Sequence, residues 1–192
     1  MKTILRPALS LFVALALLTG VLYPLAIAGV AQAIFPGAAN GSVVSRQGVE
    51  VGSSLIGQAF QAPGHFWSRP SATAPMPDNG DASSGSNLGP TNPALVEAVK
   101  ARIAALRAAD PGNTAPVPVD LVTASASGLD PDISVAAALY QVDRVARATG
   151  LPAARVRALV DRRTEEPLAG WLGEERVNVL LLNLDLDEAR AR

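Results

Sequence analysis

Residues 9–35 read LSLFVALALLTGVLYPLAIAGVAQAIF, and no charged side chain stands anywhere from Pro7 to Ser45. Wound as a helix, this run is roughly 40 Å long at 1.5 Å per residue. A bilayer's hydrocarbon core is roughly 30 Å thick, so the run can span it with tilt or a kink. Pro24 sits in the middle, where a missing N–H and a ring clash predict a bend. Phe35 followed by Pro36-Gly37 marks the exit. Lys2 and Arg6 precede the run, and the first basic residue beyond it is Arg46. The positive-inside rule then predicts residues 1–6 in the cytoplasm, a transmembrane helix over 7–35 and an extracytoplasmic domain over 36–192. A cleaved signal peptide is the rival reading, because Ala26-Ile27-Ala28 and Ala31-Gln32-Ala33 both have the small-x-small form. A signal h-region is roughly 7–15 residues long, and this run is nearly double that. Either reading exports the domain.

The remainder of the 192 residues is enough for one domain with a real core. A net charge of −1 argues against a nucleic-acid partner, which would need a basic face to neutralise phosphates. With no cysteine there is no disulfide, thiolate metal site or cysteine nucleophile. Packing alone must hold the domain together.

Gly41 to Gln61 reads as strands, with a turn at Arg46-Gln47-Gly48. Arg69, which precedes Pro70, must be extended. Residues 71–93 are rich in Ser, Asn, Gly and Pro and predict a long polar loop, a feature that is usually functional or disordered. Asn92 and Pro93 then predict a helix cap and first residue, with Leu95, Val99, Ile103 and Leu106 on one face and a stop at Asp110-Pro111-Gly112. Val119 to Thr123 predicts a strand or extended segment, and the small residues Ala124 to Gly128 allow close backbone approach. Ser134 predicts the cap of a helix striped by Val135, Leu139, Val142 and Val145 and stopped at Gly150. Pro152 predicts the start of another helix, with Val156, Leu159 and Val160 inward. Val177 to Leu184 is apolar on both faces, as a central strand buried on both sides would be. The fold class expected is α+β (mixed α/β), carried on a single N-terminal transmembrane helix.

Little chemistry is on offer. His65 is the only histidine, and beside Phe66 and Trp67 it reads as packing or surface. Gly52-Ser53-Ser54-Leu55-Ile56-Gly57 has the glycine spacing of a phosphate loop, but Gln58-Ala59 stands where Lys-Ser/Thr would hold the phosphates. No Gly-x-Ser-x-Gly elbow exists. The acidic pairs Asp130/Asp132, Glu165/Glu166, Glu174/Glu175 and Asp185/Asp187 have the oxygen chemistry of a hard-cation site. Helix-start charge and solvated surface explain most of them. No catalytic residues are assigned, and no metal site.

Several segments in order say more: Leu5-Arg6-Pro7-Ala8-Leu9, Gly52 to Gln58 with Phe60, Phe66 with Arg69-Pro70-Ser71-Ala72, Ser84-Gly85-Ser86-Asn87-Leu88 and Asn92-Pro93. Asp120 to Asp130 (DLVTASASGLD), Gln141-Val142 with Arg144-Val145-Ala146, Val177 to Leu180 and Leu184 to Asp187 complete the set. Together they closely resemble the C subunit of the bacterial Kdp potassium-transporting P-type ATPase, over nearly the whole chain. One departure is Ser84, where glycine is expected in Gly-Gly-Ser-Asn-Leu; serine fits if the backbone there avoids positive φ.

The resemblance implies a non-catalytic subunit of a potassium-uptake complex in the cell inner membrane. Its partners would be a channel-like potassium-binding subunit and a P-type subunit that hydrolyses ATP. It further implies that the chain stabilises the assembly and acts as a catalytic chaperone raising the ATP affinity of the hydrolysing subunit. No cofactor is expected on the chain itself, with ATP reached through the partner. Direct nucleotide binding is the rival, with Gln141 as its suspect; a polar position on an apolar stripe is the plainer account. A domain that caps the external potassium entrance without affecting ATP is a further alternative. The interface candidates are Arg69, Pro70, Ser71, Ser86, Asn87, Asn92, Ser125, Ser127 and Asp130.

Overall fold

The computed structural model describes residues 2–191, and the chain divides between Val51 and Gly52 into two compact units. In the first, α1 (Lys2–Leu17), a π-helical turn (Leu18–Leu22) and α2 (Tyr23–Ile34) form one continuous helical run. From Thr3 to Ile34 it is 32 residues with no buried side chain, and among the described residues it alone is long and apolar enough to cross a membrane. The expected bend has a specific form. Pro24 lacks the N–H that would bond Gly20, and the widened turn just ahead of it makes room for the ring. Thr19 Oγ1 donates to Leu15 O at 2.7 Å within the same stretch. Phe35 breaks the run at φ −130°, ψ 58°, and the short α3 (Pro36–Ala39) follows. Asn40 and Gln32 then exchange side-chain amide hydrogen bonds, both at 3.1 Å. Strands β1 (Val43–Arg46) and β2 (Val49–Ser53) pair around the expected turn at Gln47-Gly48. Leu55 to Gln61, expected as more strand, is irregular.

The second unit is the mixed α and β domain that the pattern predicts. Helix α4 (Pro93–Ala109) begins as expected, with Ala94 N–H donating to Asn92 Oδ1 at 2.9 Å. Helix α5 (Val135–Thr149) is capped by Ser134 and stopped by Gly150 at φ 74°. Helix α6 (Ala153–Arg163) starts one residue later than expected, with Pro152 as its N-cap. Strands β3 (Asp132–Ser134), β4 (Thr164–Glu165) and β5 (Arg176–Asn178) form an antiparallel sheet in the order β3-β5-β4. Val177 at its centre pairs with Ile133 on one side and Thr164 on the other.

Two more expected strands are corrected. Val177 to Leu184 leaves the sheet after Asn178, and α7 (Val179–Ala191) takes over. Asn178 makes the switch: its Oδ1 accepts from Leu181 N–H at 3.1 Å as a helix cap does. A helix buried on most sides shows the same unbroken apolar run as a buried strand, so periodicity cannot separate them. Val119 to Leu121 forms a 3-10 turn instead of a strand. Thr123 secures it, its N–H and hydroxyl both donating to Val119 O, at 3.0 and 2.8 Å.

The core packs Ile133 and Val177 of the sheet against Val142 and Val145 of α5, Val156 and Val160 of α6, and Leu182 and Leu186 of α7. Each side chain so buried contributes roughly 1.5–3 kcal/mol. Phe66 joins this core from an irregular segment and is fully buried.

Candidate partner-binding surface

Phe66 is held by side chains of the helices rather than by a strand partner. Asn183 on α7 accepts from Phe66 N–H at 2.8 Å and donates back to Phe66 O at 3.0 Å. One residue on, Gln141 of α5 does the same for Trp67, at 2.8 and 3.1 Å. Each amide thus mimics the two bonds of a neighbouring strand. Arg144 completes the clamp, donating to Pro63 O at 2.5 Å, His65 O at 3.0 Å and Gln141 Oε1 at 2.6 Å. Its guanidinium also lies 4.5 Å from the centre of the Trp67 ring. Burial lowers the Arg144 pKa to about 10, which leaves it charged at neutral pH. His65, expected as packing or surface, is half-buried with Nε2 3.1 Å from Asp187 Oδ1.

Beyond Trp67 the chain turns into the polar stretch 71–92, which has no helix or strand but is far from unstructured. Ser71 Oγ is its hub. It donates to Gly128 O at 2.7 Å and accepts from Thr73 N–H at 3.2 Å and Asp78 N–H at 2.9 Å, filling one donor and two acceptor positions. Thr73 Oγ1 in turn donates to Met76 O at 2.7 Å and accepts from Asn79 N–H at 3.1 Å. Ser127 O accepts from Ser84 N–H at 2.9 Å and Ser83 Oγ at 3.0 Å. Ser125 Oγ and Ser127 Oγ accept from the N–H groups of Gly128 and Leu129 at 2.9 and 3.1 Å.

Two glycines let these segments interlock. A Cβ on Gly128, which has φ +68°, would lie 2.5 Å from Ser84 O, and one on Gly85 would lie 2.7 Å from Ala126 O. The close approach expected of Ala124 to Gly128 therefore occurs at its glycine. Ser84 is absent from the positive-φ residues, so serine fits where glycine was expected. Arg69 ties the same surface to the sheet, donating to Asp130 Oδ2 at 2.7 Å, while Asp130 Oδ1 accepts from Asp132 N–H at 3.1 Å. Burial, with Asp130 adding to it, raises the pKa of Asp132.

The structure thus brings Arg69, Ser71, Ser125, Ser127 and Asp130 into one network. Pro70 lines a cleft of about 460 Å³ beside it, walled by Phe60 and Trp67 and containing Arg69, Asp78 and Arg102. Burial pushes Asp78 up and Arg102 down from their ordinary pKa values. Arg69 Nε is buried there without a hydrogen-bond partner. Ser86 and Asn87 are exposed at the outer edge, with Asn87 at φ 52°. Asn92 stands apart as the cap of α4. Gln141 is only 1% exposed, and both ends of its amide are taken up by Trp67 and Arg144. No group of three or more metal-ligating side chains occurs among the described residues.

Asn183 was not singled out from the sequence, and Phe66, Trp67 and Arg144 stood out there only as motif residues or as neighbours of His65, without a role as a clamp. The available signal was a lone asparagine inside the apolar run Val179 to Leu184.

The K+-transporting ATPase, c chain (KdpC) family model matches residues 5–188. A relative from Polaromonas naphthalenivorans (strain CJ2) is 69% identical over 187 residues, covering 97% of this chain and 95% of its own. One from Variovorax paradoxus (strain S110) is 66% identical over 191 residues, covering 100% and 99%. One from Janthinobacterium sp. (strain Marseille) is 62% identical over 188 residues, covering 98% and 100%. Each of these relatives is named a potassium-transporting ATPase KdpC subunit. With its single apolar N-terminal helix and its α and β domain, the chain belongs to the KdpC family and is a subunit of a potassium-uptake ATPase complex.

Proposed function

We propose that the chain works as a non-catalytic assembly subunit, joining a channel-like potassium-binding subunit to a P-type ATP-hydrolysing subunit and raising the ATP affinity of the latter. The observation that carries this reading is the interlocked surface of residues 71–87 and 125–130. Its internal hydrogen bonds fix the loops and leave Ser86 and Asn87 exposed for a wet, polar interface. The positive charges Lys2 and Arg6 ahead of the apolar helix favour a cytoplasmic N-terminus in the inner membrane and an external domain. An effect on ATP would then pass through the spans as a coupling free energy between distant sites.

The deciding experiment removes the chain from the detergent-solubilised complex and measures both co-purification of the other subunits and the KM for ATP. Scattered subunits with a raised KM support both halves of the proposal. An intact complex with unchanged KM overturns both, and scattered subunits whose hydrolysing member keeps its KM leave assembly alone. Direct nucleotide binding at Gln141 is disfavoured, because a nucleotide would first have to displace the Trp67 backbone from that amide.

A further inference from the structure

We propose that the hairpin joining β4 to β5 is a docking knob for a second protein of the complex, one that offers an apolar pocket rimmed by lysine or arginine. The hairpin is ordered by its own bonds. Leu168 and Leu172 exchange backbone hydrogen bonds at 3.1 and 3.0 Å, and Gly170 N–H donates to Pro167 O at 2.9 Å. The tip turns through positive φ at Ala169, Gly170 and Gly173. On it stand Leu168, Trp171 and Leu172, which are 72%, 77% and 54% exposed. Three large apolar side chains on one projecting turn do nothing for the domain's own core, and a cluster of this kind marks a contact surface. Tryptophan is also among the side chains enriched at the energetic centre of such contacts.

Charge identifies the occupant. Of the glutamates flanking the tip, Glu165 is paired with Arg176 at 2.8 Å. Glu166, Glu174 and Glu175 are exposed and have no cationic partner among the described residues. An apolar tip with a collar of free carboxylates complements a greasy pocket with a basic rim. The same collar opposes the alternatives: anionic headgroups would repel it, and a second copy of the hairpin would bring like charge against like. This contact lies outside the polar surface of the proposed function and rests only on membership of the complex.

The test places a benzophenone amino acid at Trp171 in membranes holding the whole ATPase. Irradiation is expected to join the chain to a different subunit, at a peptide where Lys or Arg borders apolar residues. Adducts to lipid alone, to a second copy, or to no protein while the chain still co-purifies overturn the knob and leave the assembly reading standing. Separately, Trp171→Ser, and Glu174→Lys with Glu175→Lys, are each expected to weaken retention in the solubilised complex about tenfold. The thermal midpoint of the full chain should stay unchanged, because the tip is exposed. Undiminished retention in both variants overturns the proposal.

Discussion

Two irregular segments of the domain are held in opposite ways. Pro63 to Trp67 is gripped from inside by the long side chains of Gln141, Arg144 and Asn183, which reach across from α5 and α7. Residues 71–87 are held from below by short hydroxyls and by bare backbone at Gly85 and Gly128. The first arrangement pairs the N–H and C=O of Phe66 and Trp67 with helix side chains and buries Phe66 fully. The second leaves Ser83, Ser84, Ser86 and Asn87 exposed. A buried loop must satisfy its backbone completely, whereas a loop meant for a polar partner can leave groups to be satisfied later.

The sharpest way to break this contrast is Arg144→Met, which removes the donor to the carbonyls of Pro63 and His65 and one of the two donors to the Gln141 oxygen. A loss of roughly 3–4 kcal/mol is expected, read as a fall in midpoint on urea or thermal unfolding. Asn183→Leu strands Phe66 N–H and C=O alike and should cost roughly 2–3 kcal/mol by the same measurement. On the surface side, Gly128→Ala adds a Cβ against Ser84 O at a left-handed φ. About 1–2 kcal/mol is expected, with a disproportionate loss of co-purification because the outer face is reshaped. Ser86→Ala with Asn87→Gly should leave stability within about 0.5 kcal/mol and yet weaken association. Equal effects on stability and association would erase the distinction between the two segments.

A control outside both segments tests the electrostatics. Arg163, and then Arg162, hold the Asp185 carboxyl below its ordinary value of 3.8. A folded-state pKa below the unfolded one stabilises fully above the unfolded value and is lost as pH falls through the folded value. Acid titration of stability should therefore be flatter in Asp185→Asn below the ordinary carboxylate range. The variant is expected to cost roughly 1 kcal/mol at neutral pH, since both arginines are partly screened by solvent.

The caps were the most legible part of the fold. Asn92-Pro93, Ser134 and Gly150 each carry a local signal whose cause is the unsatisfied ends of one helix. Val177 to Leu184 misread as strand because burial on most sides erases the periodicity that would tell 3.6 from 2. Within the site, Ser71, Ser125, Ser127 and Asp130 were visible through the family motifs, but nothing local joins Ser71 to Gly128. The clamp was invisible for a similar reason. Asn183 and Phe66 lie 117 positions apart, and an amide that stands in for a strand has no spacing rule of its own.

The π-helical turn at Leu18–Leu22 has a consequence for the membrane helix. An extra residue within one turn advances everything after it by about 100° about the axis. Leu9 to Leu17 and Leu25 to Ile34 therefore do not share one continuous seam. A neighbouring helix that tracks the lower half meets a different azimuth in the upper half, so two neighbours can be served by one rod. Deleting one residue from that turn would close it to an ordinary α-helical turn and put the two halves into one 3.6-residue register.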